Sequence, residues 1–365
     1  MKITEVRLGM VRVPLKTPFK TALRTVDTVE DLIVSIHTDT GHVGYGEAAA
    51  TAVITGDTHG SMIEAIGKVI APRLVGEDIA NLNRIVRLVQ TALERNTSAK
   101  AAVEIAVYDL WGQLYETPLY RMLGGGEPVI TTDITISVDH IDKMVSDSIS
   151  AVDRGFESLK IKVGKDIGLD VERVKAIHAA VEGRALLRLD ANQGWTAKQA
   201  VHAMHELEDA GVHLELLEQP VRAQDIAGMK YVSDRVKTPV MADESVFGPL
   251  EVIELIERRA ADIINIKLMK TGGISNAIRI ADIAALYGVE CMIGCMIETS
   301  ISVAAAVHVA IAKSDVITKV DLDGPSLCAF DPVDGGVTFN ESEISVSEAP
   351  GLGIRAIRGY KPISH

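Results

Sequence analysis

Six stretches decide the reading: SLKIKVG at 158–164, LRLDANQGW at 187–195, LELLEQP at 214–220, VMADES at 240–245, IINIKLMK at 263–270 and KVDLDGP at 319–325. Each is a short apolar run carrying or ending on ionisable residues, followed by a loop and a helical stretch. Strand-like runs occur at Ile130–Val138, Ser158–Val163, Ala185–Leu189, Leu214–Leu217, Pro239–Ala242, Ile263–Leu268, Val289–Ile293 and Ile317–Leu322. Between them lie helices such as Ala197–Ala210, which opens on a Thr196–Gln199 capping box and stops at Gly211, and Ser275–Tyr287, which stops at Gly288. Eight strands alternating with helices indicate a parallel sheet, and eight such units close as a barrel. A doubly wound open sheet is the alternative. It loses ground because no Gly-x-Gly-x-x-Gly follows an early strand.

The charges fall in register with this repeat. From Lys162 to Asp190, Glu218, Asp243 and Lys267 the steps are 28, 28, 25 and 24 residues. Each is one βα unit, so each charge returns to the same height at the C-terminal mouth, where barrel enzymes place their sites. Lys160/Lys162, Asp190/Asn192, Asn265/Lys267 and Asp321/Asp323 are i, i+2 pairs, so strand alternation turns both members to one side. One strand-end charge is readily a salt-bridge partner; five or six in register across consecutive strands make a site. Asp190, Glu218 and Asp243 on three successive strands would repel one another unless a cation compensated them. All-oxygen donors suit Mg²⁺ or Mn²⁺ rather than zinc. Lys162 and Lys267, on strands two and six, face each other across the lumen. A carboxylate substrate held by the cation becomes acidic at its α-carbon. One lysine then removes that proton, and the other returns one to the opposite face. A lowered lysine pKa, from the cation and from Lys160 beside Lys162, would suit that role.

Before residue 127 the pattern differs. Strand-like Ile3–Val13 and Leu32–His37, the turn GHVGYGE at 41–47 and a nearly all-apolar helix Ala99–Leu114 with Ser98 as N-cap form a separate region, punctuated by Gly124–Gly126 and Pro128. The 365 residues allow about two domains of roughly 150 residues, or a barrel with an addition. A hydrophobic fraction of 47% with 24% charged residues is globular composition. The longest apolar run, Ile301–Ala312, is too short to span a bilayer and contains His308. A net charge of −13 disfavours nucleic acid and anionic membrane surfaces as partners. Three cysteines and no signal-peptide pattern fit a reducing cytoplasm.

On Lys160-Ile-Lys162, Asp190-Ala-Asn192, Glu218-Gln-Pro220, Asp243-Glu244-Ser245, Asn265-Ile-Lys267 and GYGEA at 44–48, the chain resembles the muconate-lactonising subgroup of the enolase superfamily. The resemblance implies a modified (β/α)7β TIM barrel over 128–324, with an α+β capping domain over 1–127 completed by 325–365. It implies Asp190, Glu218 and Asp243 as Mg²⁺ ligands, Lys162 and Lys267 as paired acid/base catalysts, and Lys160 as a stabiliser of the enolate. These motifs alone leave muconate cycloisomerase, o-succinylbenzoate synthase, N-acylamino acid racemase and dipeptide epimerase chemistry open. Asp321-Leu-Asp323 favours the last, because the pair resembles the carboxylates with which dipeptide epimerases hold the substrate's α-ammonium.

The side-chain pocket is expected from TPFKTALRTV at 17–26 and VITGDTH at 53–59. Arg24 would pair with a substrate side-chain carboxylate, with Phe19, Ile54 and Thr135 as further substrate-binding residues. The first loop resembles that of epimerases acting on L-Ala-D/L-Glu. A dipeptide is thus the expected partner, a homo-oligomer is left open, and Cys291 and Cys295 are expected to be packing residues. A Schiff-base aldolase on the same barrel would leave the three carboxylates without a use. A non-catalytic binding barrel would leave the two lysines without one.

Overall fold

The computed structural model describes residues 1–363; the last two residues of the expected 325–365 segment lie outside the described residues. Strands β1 (Ile3–Lys20), β2 (Thr25–Thr38) and β3 (Val43–Ala49) form an antiparallel meander. After a helical stretch comes β4 (Val129–Thr131). The barrel strands follow: β5 (Ile134–Ile136), β6 (Ser158–Lys162), β7 (Leu186–Asp190), β8 (Leu216–Glu218), β9 (Val240–Ala242), β10 (Ile263–Lys267), β11 (Glu290–Gly294) and β12 (Ile317–Asp321). They pair in parallel and in chain order as one eight-stranded sheet. Its first and last strands meet where Asp133 N–H donates to Val320 O at 3.2 Å, and Leu322 N–H donates to Thr132 Oγ1 at 2.9 Å. The C-terminal strands are β13 (Val333–Gly335), β14 (Val337–Asn340), β15 (Glu343–Val346), β16 (Ile354–Ile357) and β17 (Lys361–Ile363). The last returns to pair with β1.

The expected single strand Ile130–Val138 is two. β4 pairs with β15, outside the barrel, and only β5 enters it. Between them Thr132 and Asp133 turn inward and are buried, using their polar groups to tie the first barrel strand to the last.

The cap packs through glycine. A Cβ on Gly46 would lie 1.8 Å from Ala102 O, so the helix Thr97–Leu114 rests directly on the β3 backbone. That helix starts two residues earlier than expected, with Asn96 in place of Ser98 at its cap position. The Asp57 carboxylate reaches in from the 53–59 loop and accepts from Ser98 N–H at 2.9 Å. The Thr196–Gln199 capping box is present. The helix Ser300–Ala312 is buried almost all round, as its composition demands. No described helix is long and apolar enough to cross a membrane.

Two ties dock the cap at the barrel mouth. Lys20 Nζ meets Asp139 Oδ2 at 2.6 Å, and Lys20 O accepts from Val138 N–H at 3.3 Å, bringing the β1–β2 turn over the C-terminal ends of the strands. On the far side Glu104 accepts from Ser275 N–H at 3.0 Å. The Thr271–Gly273 turn thus faces the chain's own carboxylate. Gly273, at φ +124°, leaves the room Glu104 needs.

Candidate active site

Parallel register brings the chemistry together. Lys162 pairs with Asp190, and Asp190 with Glu218, across β6, β7 and β8; Asp243 follows β9 by one residue. Asp190, Glu218 and Asp243 are all fully buried. Lys160 Nζ lies 2.6 Å from Glu218 Oε2, 2.6 Å from Asp321 Oδ2 and 3.3 Å from Asp190 Oδ2. Lys162 Nζ is 2.5 Å from Asp190 Oδ2, and Lys267 Nζ is 2.8 Å from Asp243 Oδ2. Every anion of the expected ligand set therefore has an ammonium beside it, which keeps the buried charges paired.

Alternation alone accounts for Lys160/Lys162 and Asn265/Lys267, which lie within β6 and β10. Asn192 and Asp323 lie beyond their strands. Asn192 has left-handed φ +42°, and its N–H returns to Asp190 Oδ1 at 2.8 Å. Asp323 is held by Thr135 N–H on Oδ2 at 2.7 Å, across the seam between β5 and β12.

These residues surround a cleft, partly open to solvent, with about 520 Å³ of empty space. Lys160, Lys162, Lys267, Asp321, Asp323 and Thr135 line its barrel side; Phe19, Arg24 and Ile54 come from the cap. Asp190, Glu218 and Asp243 lie beneath the lysines rather than in the wall. The Phe19 ring stands 5.7 Å from Lys162 Nζ, a cation–π approach. Arg24 is half-buried and, among the described residues, has no carboxylate within salt-bridge distance. Burial lowers its pKa, an effect Asp31 partly offsets.

Burial raises the pKa of every carboxyl here, and neighbouring ammonium groups decide the outcome. Asp190 ends below its ordinary value because Lys162, Lys160 and Lys267 outweigh burial. Asp321 and Asp243 are lowered in the same way. Glu218 is pushed up to about 7 by burial and the Asp190 charge, and Glu244 to about 8 by burial and Asp243. Asp323 rises to about 6 through burial and the charge of Asp321. For Lys267 the lowering by burial is overcome by Asp243, so with these partners it is raised rather than lowered.

Two groups escape the sequence reading, and a third, Asn265, is placed by it without a role. Lys270 is fully buried, with Nζ 2.5 Å from Asp243 Oδ1 and 3.0 Å from Asn265 O. Its signal was a lysine one helical turn after Lys267 in an apolar run. Asn265 Nδ2 donates to Glu218 Oε1 at 2.8 Å, orienting that carboxylate. The other missed group is the wall segment Cys295-Met296-Ile297, which follows β11. Cys291 is a buried packing residue as expected, whereas Cys295 faces the cavity.

The donor set fits a hard divalent cation. It is all oxygen, and Glu218 Oε2 and Asp243 Oδ1 are buried without a hydrogen bond, having only ammonium contacts.

Comparison with known proteins agrees with this geometry. Residues 3–124 match the mandelate racemase / muconate lactonizing enzyme N-terminal domain, and 143–358 match the enolase C-terminal domain-like family. An L-Ala-D/L-Glu epimerase of Clostridium acetobutylicum is 51% identical over 357 residues, covering 98% of this chain and 99% of its own. The substrate-liganded L-Ala-D/L-Glu epimerase of Bacillus subtilis superposes with a TM-score of 0.96 at 49% identity, covering 98% of this chain and 99% of that one. The Enterococcus faecalis dipeptide epimerase complexed with Mg and L-Leu-L-Tyr gives a TM-score of 0.94 at 42% identity, over 98% of this chain and 100% of that one. The chain belongs to the mandelate racemase / muconate-lactonising family of the enolase superfamily.

Proposed function

We propose that the chain is a Mg²⁺-dependent dipeptide epimerase that inverts the α-carbon of the second residue, with L-Ala-L-Glu and L-Ala-D-Glu as its substrate pair. The observation that carries this is the placing of Lys162 and Lys267 four strands apart in the eight-stranded barrel, both on a cavity whose wall holds Asp321 and Asp323.

Asp190, Glu218 and Asp243 would hold the cation. Bound there, Mg²⁺ steadies the substrate carboxylate and offsets the second negative charge that gathers on it as the α-proton leaves. Lys162 and Lys267 stand on opposite sides of the α-carbon, so that one takes that proton and the other delivers its own to the opposite face. Each is the base in one direction and the acid in the other. Lys160, set among Glu218, Asp321 and Asp190, has the placement of a fixed positive charge rather than a proton carrier. Asp321 and Asp323 receive the substrate's α-ammonium, with Thr135 fixing Asp323. Arg24 receives the second residue's side-chain carboxylate, against Phe19 and Ile54.

The wall also contains Leu23, Val53, Met296 and Ile297, which would suit an apolar second residue. A dipeptide panel with Glu, Leu or Lys second separates the readings. The highest kcat/KM should fall on L-Ala-L-Glu. A preference for Leu would overturn the role given to Arg24, and no turnover of any dipeptide would overturn the function.

A further inference from the structure

The seam between cap and barrel holds three acidic side chains that the reaction does not use. Asp31 on β2, Glu47 on β3 and Glu298 just before the helix Ser300–Ala312 are 3%, 0% and 2% exposed. Glu47 accepts from Thr299 N–H at 2.9 Å and Ser302 N–H at 3.0 Å. Its Oε2 also lies 2.9 Å from Ser302 Oγ, and that hydroxyl contacts Glu298 Oε2 as well. Glu298 Oε1 accepts from Met296 N–H at 2.7 Å, in the cavity wall. At the other end Asp31 meets Glu47 side chain to side chain.

Counting hydrogens gives the state of this row. It contains three contacts: Asp31 with Glu47, Glu47 with Ser302, and Ser302 with Glu298. Each needs one hydrogen, and the hydroxyl supplies only one. The carboxyls must hold the other two, so the row carries one negative charge instead of three. The charges facing it are Arg24 at the Asp31 end and Lys267 at the Glu298 end, both on the cavity. Cys295 lies near Glu298, and Cys328 lies near Glu47 and Asp31, with Asp331 and Lys16 beyond it.

We propose that Asp31, Glu47 and Glu298 form a two-proton carboxyl chain that positions the Arg24 loop and the Cys295–Ile297 wall against each other, so that affinity for a dipeptide with an acidic second residue depends on the chain keeping its protons. The proposal rests on the epimerase reading above. These three are positioning residues: none lines the cavity. Burial and the Glu47 charge push Glu298 up to about 7, and Asp31 is raised well above its ordinary value by burial and Glu47. As pH rises through that range the Glu298 end loses its proton. One contact of the row then has no hydrogen, and a negative charge appears behind the Cys295–Ile297 wall, on the same cavity as the Arg24 that would receive an anionic side chain. KM for L-Ala-L-Glu should therefore rise with pH.

Glu298→Gln tests this, because the amide keeps the shape, donates to Ser302 and cannot ionise. With the Mg²⁺-loaded protein, KM for L-Ala-L-Glu between pH 6 and 9 should rise about tenfold in the parent, as one pK unit of coupling requires. In Glu298→Gln the rise should stay below about twofold on that same scale, without a matching change in the kcat profile. Carbon NMR of carboxyl-labelled glutamate should show, beside the signals of Glu218 and Glu244, a resonance titrating near 7 that Glu298→Gln removes. Ser302→Ala, a second and smaller change, should shift that resonance by removing the hydroxyl. The same KM limb in parent and Glu298→Gln, or no titrating resonance lost, overturns the proposal. Failure of the parent to turn over any dipeptide sinks the epimerase reading and the KM claim with it; the carbon titration then still decides the two-proton chain.

Discussion

On the proposed function, Asp323 and Arg24 would make separate demands on a substrate, one for its ammonium and one for its side-chain carboxylate, so their loss should be separable. Arg24→Ala should raise KM for L-Ala-L-Glu by about 10–100-fold, the worth of a charge-assisted pair, and leave an Ala-Leu substrate nearly unchanged. Asp323→Asn should raise KM for every free dipeptide while leaving Mg²⁺ affinity intact. Unchanged steady-state kinetics in either variant would remove that residue from recognition. At this scale the sequence was legible wherever spacing did the work: 28 residues from Lys162 to Asp190 is one βα unit, and the structure puts those two side chains 2.5 Å apart. Lys270 was hidden because its role depends on the Asp243 carboxylate, which reaches it only through the packing of β9 against β10. Glu298 was hidden because its partners, Glu47 and Asp31, lie in the cap and far away in sequence.

The elements were legible where local chemistry chose them and not where a distant partner did. The Thr196–Gln199 cap is self-contained and was readable. The break between β4 and β5 was not, because the pattern of 130–138 is continuous. What divides it is the competition between β15 and the barrel seam. The cap helix Thr97–Leu114 shows the same dependence through Asp109. Its buried carboxylate accepts from Tyr45 N–H at 3.1 Å and Leu352 N–H at 2.9 Å, joining β3 to the C-terminal segment. Burial pushes this acid up to about 6 from its ordinary 3.8. The folded chain thus keeps a proton that the unfolded chain releases. Its contribution to stability is present below about 3.8, is lost as pH rises to about 6, and is constant above that. The loss is about 3 kcal/mol. In urea unfolding, the change in stability from pH 4 to pH 7 should be more favourable by about 2 kcal/mol in Asp109→Asn than in the parent. An unaltered pH dependence would refute this account of the Asp109 carboxyl.

At the scale of the whole molecule, barrel and cap complete one cavity, and neither supplies it alone. The lysines and acids come from strand ends, and the residues that would choose the second side chain come from the β1–β2 turn and the 53–59 loop. The clustering of Asp190, Glu218 and Asp243 against Lys160, Lys162 and Lys267 should make the folded state responsive to a divalent cation. Mg²⁺ at about a hundred times its Kd should stabilise the protein by about 2.7 kcal/mol, read as a rise in Tm, and EDTA should reverse both the rise and the activity. A Tm indifferent to Mg²⁺, with full turnover in EDTA, would contradict the carboxylate site.

The central claim is proton removal on one face and return on the other by Lys162 and Lys267, and proton NMR of L-Ala-L-Glu in D₂O with Mg²⁺ tests it most directly. The parent chain should erase the Glu α-proton signal as the L,D diastereomer grows. Lys162→Ala and Lys267→Ala should each abolish epimerisation, with at most the α-proton of one diastereomer exchanging. Full epimerisation by either single variant, or a parent chain that leaves the α-proton of both diastereomers untouched, would contradict it.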